Sequence, residues 1–347
     1  MDSIQMFLAN CNLSVSQAMR KIDSNSHGIL FLVDDNNLLV GCVTDGDIRR
    51  YLLSGGGMSD VVARASNQKP KVARSLAEAI KLYHNRDYVV IPIINNQGIV
   101  IDMYMGEGVK DKKYSPLHLP VVINAGGKGT RLDPFTRVLP KPLIPVGDLP
   151  IIELIMQEYQ SYSCDEFHII VNYKRELMKA YFADNEANYN ITWYDEEKPL
   201  GTGGGLSLLR GKLKSTFFFA NCDALLTANY ESMLKFHKDN GNVITMICAY
   251  KNINIPYGVV EMGENGVITD MKEKPLISFL TNTGIYIVEP EVIDDIGDEE
   301  AIGFPDIIER EKQKGKKVAV FPVSENDWMD MGQLPELEKM RKKLFGE

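Results

Sequence analysis

Three glycines fall within four positions, Gly126, Gly127 and Gly129, at the end of the β-branched apolar run in LPVVINAGGKGTRL, with Lys128 and Arg131 beside them. Glycine has no Cβ and tolerates positive φ, so successive backbone N–H groups can turn inward around an anion while the cationic side chains add charge. The chemistry expected of such a loop is capture of a polyphosphate. Its spacing matches neither the G-x-x-x-x-G-K-[ST] of a P-loop nor the G-x-G-x-x-G of a dinucleotide fold, which disfavours a nucleoside triphosphate hydrolase and a nicotinamide enzyme.

Two further stations belong with this loop. YDEEKPLGTGGGL (194–206) follows an alternating strand, Tyr189 to Tyr194, and opens a helix, so Gly201, Gly203 and Gly204 are expected where a base or ribose comes close to backbone. STFFFANCDALL reads as a strand of aromatic and small residues ending in Asp223, at the C-terminal edge where open α/β sheets keep their ligands.

The run from Ala125 to Val146, AGGKGTRLDPFTRVLPKPLIPV, is similar to the signature G-G-x-G-[ST]-R-L, spacer, P-K-P-h-h-P-[VI] of the sugar-1-phosphate nucleotidyltransferases, a resemblance covering residues 119–347. It implies a Rossmann-like mixed sheet and transfer of a nucleotidyl group from a nucleoside triphosphate to a sugar 1-phosphate, with release of pyrophosphate. Ala125, Gly126, Gly127, Gly129, Thr130, Glu196, Gly201, Thr202 and Gly203 are then nucleotide contacts. Arg131, Lys141, Asp223 and Asp330 are the catalytic set, Asp330 lying in Trp328-Met329-Asp330-Met331-Gly332, which is similar to the family's W-x-D-h-G element. Asp223 and Asp330 are the implied ligands of Mg²⁺. Tyr257-Gly258-Val259-Val260, Glu273-Lys274-Pro275 and Asn282-Thr283-Gly284 resemble the sugar-phosphate half, giving Gly258, Glu273, Lys274, Asn282 and Thr283 as contacts. Lys128 and Arg137 are read as solvent-facing and stay outside the catalytic set.

At the position where pyrimidine-using relatives carry a base-reading Gln, this chain has Glu196, with Glu197 adjacent. A carboxylate accepts but does not donate, which suits the neighbouring N1–H and N2–H₂ donors of guanine better than the single N3–H of uracil or thymine. GTP is therefore the expected donor. A CBS pair fused ahead of such a transferase is similar to guanylyltransferases of the legionaminic acid type, which implies glucosamine 1-phosphate as acceptor; heptose- and mannose-phosphate guanylyltransferases are the alternatives. A non-catalytic subunit is disfavoured because Arg131, Lys141, Asp223 and Asp330 are all present. A glycosyltransferase is disfavoured because Asn221-Cys222-Asp223 supplies one carboxylate where D-x-D would supply two.

The N-terminal third is internally repetitive at an offset of 60 residues. SQAMRKIDSN, GILFLV, DDNN, LLVGCV and TDGDIRRYL read as helix, strand, turn, strand and helix, and SLAEAIKLYHNRD, YVVIPI, INNQG and IVIDMYM repeat that order. Gly41-Cys42-Val43-Thr44-Asp45-Gly46-Asp47 resembles the core of a CBS domain, so residues 1–112 are read as a CBS pair with halves at about 1–57 and 58–112. The resemblance implies an adenine nucleotide held by Thr44 and Asp47, and a homo-oligomer. The same two side chains equally suit an N-cap that needs no ligand. The second half has Tyr104 and Glu107 at the matching positions, so one competent pocket at most is expected.

These stations need two domains and a linker. At 347 residues the length prior is about two domains, and the Pro-broken segment 113–118 separates 1–112 from 119–347. The expected architecture is α/β, a Rossmann-like mixed-sheet nucleotidyltransferase domain preceded by an α+β CBS pair. A net charge of −9 argues against bulk binding of nucleic acid or an anionic membrane. The start lacks a signal peptide and no apolar run is long enough to span a bilayer, so a cytoplasmic protein is expected. Five scattered cysteines without CxxC spacing argue against a disulfide framework or zinc site.

Overall fold

The computed structural model describes residues 4–25, 27–84, 90–105, 114–184 and 189–345. Glu107 and the end of the second repeat lie outside the described residues. The chain divides into two compact units, one formed by the described residues of 1–113 together with Asn252–Phe279, the other by Tyr114–Lys251 and Leu280–Glu347. The segment 252–279, continuous in sequence with the second unit, thus groups with the first.

In the first unit, helix α1 (Val15–Asn25) buries Val15, Ala18, Met19 and Ile22, the 3–4 residue spacing of an amphipathic helix facing its core. The strands Leu8–Asn10, Ile29–Val33 and Leu39–Thr44 form a three-stranded sheet, and the last feeds directly into helix α2 (Asp45–Leu53). The second repeat supplies the helix Leu76–His84 and the hairpin Val90–Ile94 with Val100–Met105. Thr44 and Asp47 form a reciprocal capping box: Asp47 N–H donates to Thr44 Oγ1 at 3.2 Å, and Thr44 N–H donates to Asp47 Oδ2 at 3.0 Å. Arg50 adds a 2.5 Å ion pair to Asp47. Both side chains are engaged in starting the helix.

The segment 252–279 is an extended hairpin. Its outer strands Val259–Met262 and Ile268–Lys272 pair antiparallel, with Glu261 opposite Asp270 and Val260 opposite Met271. Glu261, Asp270 and Lys272 make ion pairs, whereas Val260, Met262, Ile268 and Met271 stand exposed.

The second unit is built on a seven-stranded mixed sheet, in the order Asn190–Asp195, Glu166–Val171, Val121–Asn124, Phe217–Asn221, Leu276–Val288, Ile244–Asn254, Val318–Val323. Helices cover both faces, and two apolar cores result, one around Ile123, Phe167, Phe218 and Tyr230, the other around Val122, Phe219, Tyr286 and Phe304. Val121–Asn124 is parallel to both its neighbours, Glu166–Val171 on one side and Phe217–Asn221 on the other. The chain leaves it toward one neighbour and returns on the opposite side, so a topological switch point, with the crevice open sheets use for ligands, falls between Asn124 and Asn221. Among the described residues no helix is long and apolar enough to cross a membrane.

Candidate functional site

At the switch point Asn221 lies opposite Asn124 in the ladder, and the chain leaving each strand carries one of the motifs: Ala125–Arg131 from one, Cys222–Asp223 from the other. The first is the glycine loop. Ala125 N–H still bonds back into the sheet, to Ile170 O at 2.8 Å, and Gly126 N–H reaches Asn124 Oδ1 at 3.4 Å. Beyond them, the N–H groups of Gly127, Lys128, Gly129 and Thr130 have no acceptor among the described residues. Gly129 has φ +63° and presses on the Lys141 side chain, where a Cβ would come within 2.9 Å, so only glycine fits. Lys128, Thr130 and Arg131 are exposed. Arg131 lines an open cleft with Gln333, Leu334 and Pro335, its guanidinium unpaired among the described residues. A row of free N–H groups beside an unpaired guanidinium is an anion site.

Asp223 and Asp330 are separated by more than a hundred residues, and the fold sets them side by side. Ala224–Leu226 pairs antiparallel with Trp328–Asp330, Ala224 opposite Asp330, and Met331 N–H donates to Asp223 O at 2.9 Å. Lys141, buried under the glycine loop, donates to Asp223 Oδ2. Burial first, then the Asp223 carboxylate, raises the Asp330 carboxyl to about 6, with Lys141 partly opposing the effect. Cys222 is buried beside them and its thiol is pushed up to about 12, which leaves it inert. Two carboxylates with one ammonium between them hold excess negative charge. Oxygen donors in that number suit a Mg²⁺ ion that takes its remaining ligands from phosphate and water. Among the described residues no cluster of three or more His, Cys, Asp or Glu suited to a metal occurs.

Glu196 follows the strand Asn190–Asp195 and turns back under the glycine loop, only 3% exposed. A Cβ at Gly126 would lie 2.7 Å from Glu196 Oε2, and one at Gly205 would lie 2.6 Å from Oε1, so both glycines make room for the carboxylate. Oε1 is buried with no hydrogen-bond partner among the described residues. Burial pushes the Glu196 carboxyl up to about 7, against a lowering by the Leu200 N–H. In the unfolded chain this group titrates at its ordinary 4.5. The contribution of this group to stability is therefore fully present below that pH and is lost as pH rises through 7. Glu196→Gln is expected to melt with the parent at pH 4.5 and above it from pH 7 upward, by on the order of 2 kcal/mol. Melting curves across that range check it; a constant offset would mean that packing, not ionisation, is responsible.

The second glycine-rich loop differs from its sequence reading. Gly201, Gly203 and Gly204 were expected to admit a base or ribose, yet a Cβ there would strike Ile302 O at 2.6 Å, Ile307 Cδ1 at 2.5 Å and Glu300 O at 2.1 Å respectively. The close approach is to the chain's own 300–307 segment, and a side chain would push that segment off the sheet. Thr202 Oγ1 accepts from Phe304 N–H at 3.0 Å at the start of the helix Phe304–Gln313. Thr283 is likewise buried, its hydroxyl donating to Ile247 O at 2.8 Å inside the sheet. Asn282 is exposed, and its Nδ2 donates to Tyr286 Oη at 2.7 Å. In the first unit, Gly258 and Glu273 come together across the hairpin, Glu273 Oε2 lying 3.1 Å from where a Gly258 Cβ would be, and Lys274 follows in the left-handed region at φ +44°. Glu273 and Lys274 are both exposed.

Sequence reasoning passed over a set of asparagines at strand ends. Asn124 Nδ2 donates to Thr202 O at 3.2 Å, tying the two glycine loops together, and Asn172 Nδ2 donates to Glu196 O at 2.8 Å. Asn221 packs against Gly284, whose Cβ would lie 2.4 Å from Nδ2. A polar amide directly after a β-branched run, as in VVIN and IIVN, was the available signal.

Residues 120–346 match the nucleotidyl transferase family model, and residues 5–54 match the CBS domain model. A mannose-1-phosphate guanyltransferase of Schizosaccharomyces pombe is 35% identical over 237 residues, 62% of this chain and 61% of that protein. A UTP–glucose-1-phosphate uridylyltransferase of Synechocystis is 30% identical over 243 residues, 63% and 61%. The chain thus spans about three fifths of the length of the curated relatives it matches. Among solved structures, HddC from Yersinia pseudotuberculosis complexed with GMP-PN superposes with a TM-score of 0.51 at 20% identity, covering 65% of this chain and 99% of that one. The inositol-1-phosphate CTP transferase from T. maritima gives 0.51 at 17%, covering 67% and 99%. At these identities the solved structures show a common fold.

Proposed function

The chain belongs to the nucleotidyl transferase family, with a CBS domain ahead of the transferase, and from this premise we propose that it transfers a guanylyl group from GTP to a sugar 1-phosphate. The observation that carries the reading is the meeting of Asp223 and Asp330 beside Lys141, next to a loop of N–H groups and an Arg131 that have no partner among the described residues.

The nucleophile is an oxygen of the sugar phosphate, already anionic at neutral pH, so no general base is required. It attacks the α-phosphorus, the bond from that phosphorus to the β-phosphate oxygen breaks, and pyrophosphate leaves with its electron pair. The obstacle is repulsion between two polyanions. The glycine-loop N–H groups and Arg131 hold the triphosphate and the leaving charge, and Lys141 keeps Asp223 oriented. Mg²⁺, held by Asp223 and Asp330, supplies neutralisation of the phosphate charge when bound. Gly258, Glu273, Lys274 and Asn282 are assigned to the sugar phosphate, while Thr283, its hydroxyl held by Ile247 O, is left out of the contact set.

Guanine is read from the residue type at Glu196, a carboxyl that accepts and does not donate; in this structure it is turned in beneath the glycine loop, and reading the base requires it to turn out. The guanyltransferase among the relatives agrees with that choice, while the uridylyltransferase marks the competing one. Glucosamine 1-phosphate is the first acceptor to try, then mannose and heptose phosphates. For the N-terminal module the CBS match supports an adenine nucleotide at Thr44 and Asp47, which would displace the capping box, and a homo-oligomeric assembly. Pyrophosphate release with GTP, UTP, CTP, dTTP and ATP against each sugar phosphate tests the reaction and the base together. GTP is expected to give the highest kcat/KM; turnover with pyrimidine nucleotides alone would overturn the guanine assignment, and no release from any pair would overturn the enzyme.

A further inference from the structure

The hairpin assigned to the sugar phosphate has little packing of its own. On its outer strands Val260, Met262, Ile268 and Met271 are 49%, 76%, 62% and 61% exposed. A two-stranded ribbon with an uncovered apolar face is marginally stable by itself, so its base must hold it. Lys274 is also a non-glycine residue at φ +44°, a conformation that persists only where the surroundings impose it.

The base runs into the paired sheet strands Ile244–Asn254 and Leu276–Val288, and two hydrogen bonds add to that pairing. Ile255 N–H donates to Pro275 O at 3.0 Å, and Ser278 Oγ donates to Asn252 Oδ1 at 2.6 Å, closing the hairpin from one arm to the other. Ser278 Oγ also meets Ser16 Oγ at 3.0 Å. A hydroxyl has one proton, and Ser278 gives its proton to Asn252, so Ser16 is the donor to Ser278. Ser16 comes from the first turn of α1 in the N-terminal module and is only 8% exposed.

Ser16 is itself fixed from behind. Its N–H donates to Met58 O at 3.0 Å, and Val15 N–H donates to Asp60 O at 2.8 Å. The Asp60 carboxylate accepts from Tyr51 Oη at 2.7 Å, and Tyr51 belongs to α2, the helix that Thr44 and Asp47 start. A path of hydrogen bonds and chain links therefore runs from Tyr51 of α2 to Asp60, from Asp60 to Val15, along the backbone to Ser16, and on to Ser278, Asn252 and the hairpin.

We infer that Ser16 is a positioning residue: through Ser278 the N-terminal module sets the hairpin that presents Glu273 and Lys274, and so sets affinity for the sugar phosphate. This rests on the reading of those two residues as sugar-phosphate contacts. Removing the hydroxyl leaves Ser278 without its donor and loosens the hairpin without touching the glycine loop.

The test compares Ser16→Ala, Ser16→Thr and Ser278→Ala in the full chain. With GTP and either glucosamine or mannose 1-phosphate, both alanine variants are expected to raise the sugar-phosphate KM by ~3- to 10-fold, the effect of one hydrogen bond. The KM for GTP and the kcat at saturation should hold, and Ser16→Thr, which keeps the hydroxyl, should restore the parent value. Independently of turnover, amide hydrogen exchange across 259–272 should quicken in both alanine variants and not in Ser16→Thr. Unchanged exchange in both alanine variants, or a rise in the KM for GTP equal to that for sugar phosphate, would overturn the inference. If no substrate pair turns over, exchange alone decides it, and the silence counts against the enzyme reading only. Should Ser16→Ala fail to fold, Ser278→Ala, at a partly exposed position, carries the same comparison.

Discussion

Asp223→Asn is expected to lower pyrophosphate release by roughly 10³-fold while leaving the protein folded, because several kcal/mol of charge stabilisation is lost with one metal-binding carboxylate. The change is isosteric and keeps a side chain for Lys141 to contact. Asp330→Asn should cost activity on the same scale yet raise the melting temperature of metal-free protein at pH 7.5. The folded protein resists ionisation of Asp330 up to about 6, whereas the unfolded chain titrates at the ordinary 3.8. That carboxyl therefore contributes stability below 3.8 that is lost as pH climbs through 6, and asparagine removes the loss. Loss of activity together with gain of stability separates a charge held for function from one held for structure. The shift in melting temperature produced by added Mg²⁺ should vanish in both variants. A parent-like rate in either would remove the aspartate pair from the reaction.

Arg131→Ala should reduce kcat by roughly 10²–10³-fold, the cost of deleting one donor aimed at developing charge. Its guanidinium is exposed and has no internal partner among the described residues, so nothing in the fold depends on it and the melting temperature should stay within about 1 °C. Arg131→Lys should recover only part of the rate, since an ammonium cannot offer the paired N–H groups of the planar fork. Single-turnover kinetics with GTP and sugar phosphate distinguish this from weakened binding: a variant that lost only KM would place Arg131 on the ground-state triphosphate.

Much of the site was legible because its parts are local. The glycine spacing of 126–129 encodes a turn that only small residues can make, and the β-branched run before it places that turn at a strand end. Thr44 and Asp47 carry the spacing of a capping box, and the structure realises one. Glycines mark close approach but not its partner: at Gly201 and Gly204 the partner is the chain's own backbone, at Gly126 a buried carboxylate. No spacing rule separates these cases, because what approaches a glycine is decided by residues far away in the sequence, Glu196 for Gly126 and Glu300 for Gly204.

What the sequence determined by itself is the kind of chemistry: an anion-binding loop, carboxylates at strand ends, an N-terminal repeat, and the order of motifs that identifies the family. Each follows from backbone conformations and side-chain types that act within a few residues. The tertiary structure alone decided which groups meet. It brought Asp330 against Asp223, buried Glu196 beneath the glycine loop, drew Thr283 into the sheet, and joined Ser16 to Ser278. Those outcomes depend on sheet order and strand register, which are set by the burial of the two apolar cores as a whole and not by any segment alone.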